Sequence, residues 1–175
     1  CTLSKLFTSI LNERLYEYLT INGILKNHST VDCIFILKSL VDRYVKSKPK
    51  TKQNKLFTCF VDFKRAFDSI PREKLFQKIE KAGINGKFLS VLSSMYLNDC
   101  SAIKQNGYIT ETFKCRVGVK QGCMLSPTLF NLFLSDLPDT LNKAPVKEDI
   151  SIKGVKLRSL LYADDLAVVA QTAND

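Results

Sequence analysis

The sequence predicts an α+β domain with a mainly antiparallel sheet. Three observations carry that reading. Apolar residues recur at helical spacing through the first 45 positions, and strand-length apolar runs with hairpin signals fill much of the second half. Helices and hairpins alternate without the steady strand–helix–strand rhythm of a parallel sheet. At 175 residues the chain suits one domain of ordinary size. Its 45% hydrophobic and 25% charged residues give a globular balance. No apolar run approaches the roughly 20 residues that cross a bilayer, so no membrane partner is expected. Cys1-Thr2-Leu3-Ser4-Lys5 has neither an initiator methionine nor a signal pattern and reads as the start of a piece cut from something longer.

The elements follow in order. Leu3, Leu6, Phe7, Ile10, Leu11, Leu15 and Leu19 predict an amphipathic helix over 3–19, ended by Asn22-Gly23. Val31, Ile34, Phe35, Leu37, Leu40, Val41, Tyr44 and Val45 predict a second over 31–45, capped by Ser29 or Thr30. Lys46 to Lys55 holds five lysines and a proline; it is either a solvated loop or a phosphate contact. Leu56–Val61 is an apolar strand ending at Asp62. A helix is expected next, restarted by Pro71 and closed by Gly83, then another over Lys87–Asn98. Residues 100–117 form a hairpin, with Asn106-Gly107 as a type I′ turn. Ser126 caps a helix with Pro127 at its first position, running to about Leu141. Short strands near 149–157 and 158–163 precede Asp164-Asp165 and a last apolar strand, Leu166–Ala170.

The formal charge of +9 favours a polyanion, nucleic acid first, although a basic protein without such a partner has the same composition. Six scattered cysteines lack any C-x-x-C pair, and several, such as Cys59, sit in apolar stretches. They read as reduced and buried rather than as a disulfide frame or zinc site. His28, the one histidine, has no metal-binding or triad partners and reads as a surface or loop residue.

Three carboxylates stand out by position. Asp62 closes an apolar strand, and Asp164-Asp165 lie between two apolar segments. Burying such a pair is costly without compensation. Either a tight turn lifts it into solvent, or a divalent cation neutralises it; carboxylates at neighbouring strand ends can hold two Mg²⁺ ions for phosphoryl displacement. Gly118-Val119-Lys120-Gln121-Gly122-Cys123 lies ahead of a capped helix, where glycines allow close backbone approach to a ligand.

Taken together, these segments resemble the catalytic motifs of non-LTR (LINE-like) retrotransposon reverse transcriptases. Phe60-Val61-Asp62-Phe63-Lys64-Arg65-Ala66-Phe67-Asp68 resembles the first. Gly118–Pro127, continuing into Leu129-Phe130-Asn131, looks like the second, and Tyr162-Ala163-Asp164-Asp165 like the third, in the family's order and with about a hundred residues from first to third. The resemblance implies a partial palm: 1–55 as finger and palm helices with the basic loop, and 56–175 as the palm with all three motifs, fingers incomplete and no thumb. It implies RNA-directed DNA synthesis with two Mg²⁺ ions, Mn²⁺ able to substitute. The expected partners are an RNA template, a DNA primer, deoxynucleoside triphosphates and the remainder of a longer polyprotein, in an intracellular setting of nucleus or cytoplasm.

By the same resemblance Asp62 and Asp164 are the main metal ligands, Asp165 supports them, and the Phe63 carbonyl completes one shell. Phe67 excludes a ribose 2′-hydroxyl, Gln121 and Gly122 line the nucleotide, and Tyr162 lies under the primer terminus. Each has a plainer alternative: Phe67 as a core aromatic, Tyr162 as hairpin packing. Asp68 is expected to cap or pair locally, and Asn131 to make a structural bond.

The family's Gly-Phe-Arg element before Ser29-Thr30 is missing, with Lys26 as substitute lacking a bidentate fork. That gap, with the missing thumb, makes an inert remnant binding nucleic acid non-specifically the alternative reading. A metal-dependent nuclease would fit the carboxylates but not the Gln-Gly and Ser-Pro segments.

Overall fold

A computed structural model describes residues 2–25, 29–46, 55–146 and 148–172. The chain divides into two units, each assembled from two separate stretches of sequence. One comprises Cys1–Leu25 and Arg65–Phe133, the other Lys26–Lys64 and Leu134–Asp175. As expected, helices and antiparallel strands are mixed, with every strand pair antiparallel.

The first unit opens with α1, Thr2–Ile21, which buries Thr8, Leu11, Leu15 and Leu19, one residue per turn on one face. Leu3, Leu6, Phe7 and Ile10 share its periodicity but are exposed. The expected stripe is therefore buried only along its C-terminal half, because periodicity defines a face and not what covers it. Asn12 accepts a hydrogen bond from Thr128 (2.7 Å) and the Tyr18 hydroxyl donates to Ala82 O (3.2 Å), tying α1 to distant chain.

The expected helix directly after Asp62 is absent. Residues 64–69 form turns instead, with Arg65 at φ 52° and its carbonyl accepting from both Asp68 and Ser69 N–H. A left-handed residue interrupts any helix. Pro71 then caps α3 (Arg72–Lys81), and α4 (Gly86–Leu97) follows and packs against it. Two short ladders pair β2 (Cys100–Ser101) with β5 (Phe113–Lys114) and β3 (Lys104–Gln105) with β4 (Tyr108–Ile109). Asn106 and Gly107 both take positive φ (49° and 84°), as a type I′ turn requires.

Helix α5 covers Ser126–Leu134. Ser126 is its first helical residue rather than its cap, and its hydroxyl donates back to Lys120 O (2.5 Å). The expected run to Leu141 is broken: α6 (Leu137–Lys143) is a separate helix with Pro138 in its first turn. Proline has no N–H for the carbonyl four residues back and its ring clashes there, so one continuous helix cannot form. Leu75, Ile79, Leu92, Leu125 and Leu129 are almost wholly buried in the first unit. Each such side chain contributes ~1.5–3 kcal/mol.

The second unit holds α2 (Thr30–Val41), whose cap is Ser29. Asp32 N–H donates to the Ser29 hydroxyl (3.2 Å), and the Asp32 carboxylate accepts from Ser29 N–H (2.8 Å). A single π-helical turn, Asp42–Lys46, continues it. Val31, Ile34 and Phe35 are exposed, leaving Leu37, Leu40 and Tyr44 as the inward side. Strand β1 (Phe57–Asp62) joins β9 (Asp165–Ala170) and β8 (Ser159–Tyr162) in a sheet of order β1-β9-β8. The hairpin β6 (Ser151–Ile152) and β7 (Val155–Lys156) forms a separate two-stranded ladder. Leu40, Ile150 and Val169 form the core, with Leu37, Tyr44, Leu56, Ile152 and Leu157 around them. The Tyr44 hydroxyl donates to Ser151 O (3.3 Å) and accepts from Ser151 N–H (3.1 Å).

Among the described residues the cysteines are free, as expected, but not buried: Cys59 and Cys100 are exposed and Cys33, Cys115 and Cys123 half-buried. Cys59 sits on a strand whose neighbours Phe57 and Phe60 are also open, so an apolar run did not mean a covered one. Among the described residues no helix is long and apolar enough to cross a membrane. His28, Lys26 and residues 47–54 of the lysine-rich stretch lie outside the described residues.

Candidate active site

In the second unit the three-stranded sheet sets the carboxylates. The register places Asp62, last residue of β1, directly opposite Asp165, first residue of β9, and Tyr162 opposite Asp165 on the other side. Paired antiparallel residues have Cα atoms roughly 4.5–5.5 Å apart and side chains on one face. Two like charges so placed repel each other. Ala163 and Asp164 make the turn joining β8 to β9, with Ala163 at φ 50°. A left-handed alanine costs ~1–2 kcal/mol, so the turn beside the carboxylates is strained. Asp62 and Asp165 are exposed, Asp164 and Phe63 half-buried, and Tyr162 open to solvent.

Hard carboxylate oxygens are the donor type that Mg²⁺ and Mn²⁺ favour, and the facing pair calls for positive charge between them. Donor type fits a divalent cation, and two of the carboxylates, Asp62 and Asp165, face each other. Among the described residues no three acidic, thiol or imidazole groups converge on one point as they stand. The sheet thus brings Asp62 and Asp165 together and leaves Asp164 in the turn.

The first unit gathers Phe67, Asp68, Gln121 and Gly122. Turn 64–70 and loop 117–122 are fastened by Gly118 N–H to Ile70 O (2.8 Å), Val119 N–H to Phe67 O (2.9 Å) and Gln121 Nε2 to Asp68 Oδ1 (2.8 Å). Instead of the expected local cap or pair, the Asp68 carboxylate accepts from Gln121, a partner distant in sequence. The Phe67 ring stacks on Phe130 with centroids 4.7 Å apart. Gly118, at φ 80°, lies so close to Asp68 that a Cβ would sit 2.7 Å from Asp68 O and 2.8 Å from its Cα. Only glycine fits there. Gln121 and Gly122 themselves are exposed.

The sequence reading missed what holds this loop at its root. Arg72 donates through Nε to Gly118 O (2.8 Å), through Nη1 to Tyr96 O (2.8 Å) and Cys115 O, and through Nη2 to Asp99 Oδ2 (2.7 Å). The other Asp99 oxygen takes Lys120 Nζ at 3.0 Å. Both cations lie over the buried Tyr96 ring, at 5.0 and 5.8 Å from its centroid. Burial works to raise the Asp99 carboxyl, but hydrogen bonds and charge from Lys120 and Arg72 outweigh it and hold the group below the ordinary carboxylate range. Arg72 opens a helix just after a proline, which reads as an ordinary surface position. Nothing local marks it, since its partners lie 24 to 46 residues away.

The chain matches the family model described as reverse transcriptase (RNA-dependent DNA polymerase) over residues 2–175. It is 27% identical over 169 residues to a retrovirus-related Pol polyprotein from the type-1 retrotransposable element R2 of Popillia japonica, covering 95% of this chain and 23% of that protein. It is 29% identical over 180 residues to a probable RNA-directed DNA polymerase from transposon BS of Drosophila melanogaster, covering 96% of this chain and 18% of that one. Against the RNA-directed DNA polymerase from mobile element jockey of Drosophila melanogaster, identity is 30% over 114 residues, 65% of this chain and 12% of that protein. The chain thus spans a quarter or less of the length of these relatives.

Proposed function

The chain belongs to the reverse transcriptase family, on the non-LTR retrotransposon side, and from that premise we propose that it forms the nucleotidyl-transfer portion of an RNA-directed DNA polymerase. The reaction joins the 3′-oxygen of a DNA primer to the α-phosphorus of a deoxynucleoside triphosphate, breaks the α–β phosphoanhydride bond and releases pyrophosphate. The observation that carries this reading is the facing of Asp62 and Asp165 at the end of a sheet, beside Tyr162 and the strained Ala163-Asp164 turn.

Asp62, Asp164 and Asp165 are the groups to hold divalent cations, with the Phe63 carbonyl following directly on Asp62. Bound Mg²⁺ or Mn²⁺ would supply positive charge to the attacking and leaving oxygens. Tyr162, exposed beside Asp165, offers a ring for the primer end to rest on. Phe67, held by its stack on Phe130, suits a fixed steric gate against a 2′-hydroxyl. Gln121 spends one amide N–H on Asp68 and keeps its carbonyl and second N–H for the nucleotide or template base, with Gly122 giving the backbone room. The excess of 26 Lys and Arg over 17 Asp and Glu supports a nucleic-acid partner through phosphate neutralisation. The palm, its finger helices at 1–55 and catalytic part at 56–175, is the arrangement this reading assigns.

The test is primer extension on an RNA template by the longest natural polypeptide that contains this sequence. Synthesis lost on Asp62→Asn or Asp165→Asn, with template binding retained, supports the reading. Template binding without extension in the parent, or extension that survives both substitutions, refutes it.

A further inference from the structure

We propose that Arg72, together with Asp99, is a positioning residue for the nucleotide-facing loop: it fixes where Gln121 and Phe67 stand and thereby sets nucleotide affinity and sugar selection. The inference rests on the function proposed above and deepens it.

Arg72 uses its whole guanidinium face. Its side chain is only 11% exposed, and Nε, Nη1 and Nη2 donate to three backbone carbonyls and one carboxylate. Two of those carbonyls, Cys115 O and Gly118 O, bracket the residues leading into the loop. The third, Tyr96 O, lies in the last turn of α4, and Arg72 itself begins α3. The loop root is thus tied to two packed helices rather than to its own neighbours.

From that root the tie reaches both proposed substrate-facing residues. Gly118 and Val119 donate to Ile70 and Phe67 carbonyls, and Gln121 to the Asp68 carboxylate, so a shift of Gly118 moves the turn carrying Phe67 as well. Gln121 and Gly122 are exposed, and on their far side the loop is held by Cys123 N–H and the Ser126 hydroxyl donating to Lys120 O. Asp99 closes the system: one oxygen takes Arg72, the other Lys120, the residue next to Gln121.

Lysine cannot replace this arrangement. An ammonium is a compact charge on a flexible stem, and one group cannot meet four acceptors spread around a planar fork.

The experiment compares the longest natural polypeptide with its Arg72→Lys and Asp99→Asn variants. Three things are read: KM and kcat for a deoxynucleotide in primer extension, the preference for deoxy- over ribonucleotide, and amide hydrogen exchange at Gly118 and Val119. For Arg72→Lys the expected result is a KM raised about tenfold, equal to ~1.4 kcal/mol of binding, with kcat changed less than about threefold. Sugar preference should fall by a similar factor and both amides should exchange faster. Asp99→Asn keeps the carbonyl bonds and should move all three readouts the same way by less; it decides the matter if Arg72→Lys does not fold. A lowered melting temperature with KM, sugar preference and exchange unchanged means a purely structural residue and overturns the inference while leaving the polymerase reading intact. A parent that binds template but does not extend primer overturns both.

Discussion

Replacing Gly118 by alanine tests the close approach of loop 117–122 to turn 64–70. The comparison variant is Gly122→Ala, because both glycines are left-handed, at φ 80° and 73°, but only Gly118 is crowded. At Gly122 an added Cβ meets nothing within 4 Å, so the cost is the backbone term alone, ~1–2 kcal/mol. At Gly118 the new atom falls 2.7, 2.8 and 2.9 Å from the O, Cα and C of Asp68. These are backbone atoms fixed by hydrogen bonds on either side, and they cannot swing away. Overpacking of that kind adds ~1–3 kcal/mol. Gly118→Ala should therefore lose ~2–5 kcal/mol, a large share of the 5–15 kcal/mol that holds a typical domain. The assay is urea unfolding of both variants beside the parent, read by circular dichroism and compared at equal m-value. Equal losses at the two positions would refute the reasoning, since the turn and the loop would then not be in contact.

Other expectations follow from the same geometry. Asp165→Asn removes a like-charge pair and should raise metal-free stability by roughly 0.2–1 kcal/mol while abolishing synthesis; unfolding in excess chelator and a primer-extension assay check the two halves. Divalent cation should raise the melting temperature of the parent more than that of this variant. Ala163→Gly relieves the left-handed turn and, after glycine's own entropic cost, should stabilise by roughly 0.5–1 kcal/mol in the same unfolding assay. Asp99 has a lowered native pKa, so its contribution is fully present above the unfolded carboxylate range near pH ~4 and is lost as pH falls through the native value. Asp99→Asn should flatten the acid limb of a stability–pH curve, and an unaltered limb would place the acid sensitivity elsewhere.

Where local rules suffice, the sequence was legible. Asn106-Gly107 as a type I′ turn and the strand ending at Asp62 stand as read, and of the two caps offered, Ser29 or Thr30, Ser29 is the one used. Pro138, by an equally local rule, splits the helix expected from Ser126 to about Leu141. What failed depended on distant chain. Leu3, Leu6, Phe7 and Ile10 repeat as regularly as Leu11, Leu15 and Leu19, and nothing in the spacing says which set is covered. The carboxylates could be found from their strands, yet the pairing of Asp62 with Asp165 is a register between segments a hundred residues apart. Arg72 was invisible for the same reason, since a guanidinium is recognised by its acceptors and these come from two distant stretches of chain, at Tyr96 and Asp99 and at Cys115 and Gly118.

The division of each unit into two separate stretches also sets a clock. Helix α1 leaves the ribosome long before Arg65–Phe133, the stretch that completes its unit. At roughly 5–20 residues per second, the stretch from Lys26 to Phe133 that must follow before the unit is complete takes seconds to tens of seconds to make. During that wait Leu11, Leu15 and Leu19 have no core to enter, which lengthens the aggregation-prone stage of synthesis. The yield of this chain in a heterologous host should therefore respond to translation speed.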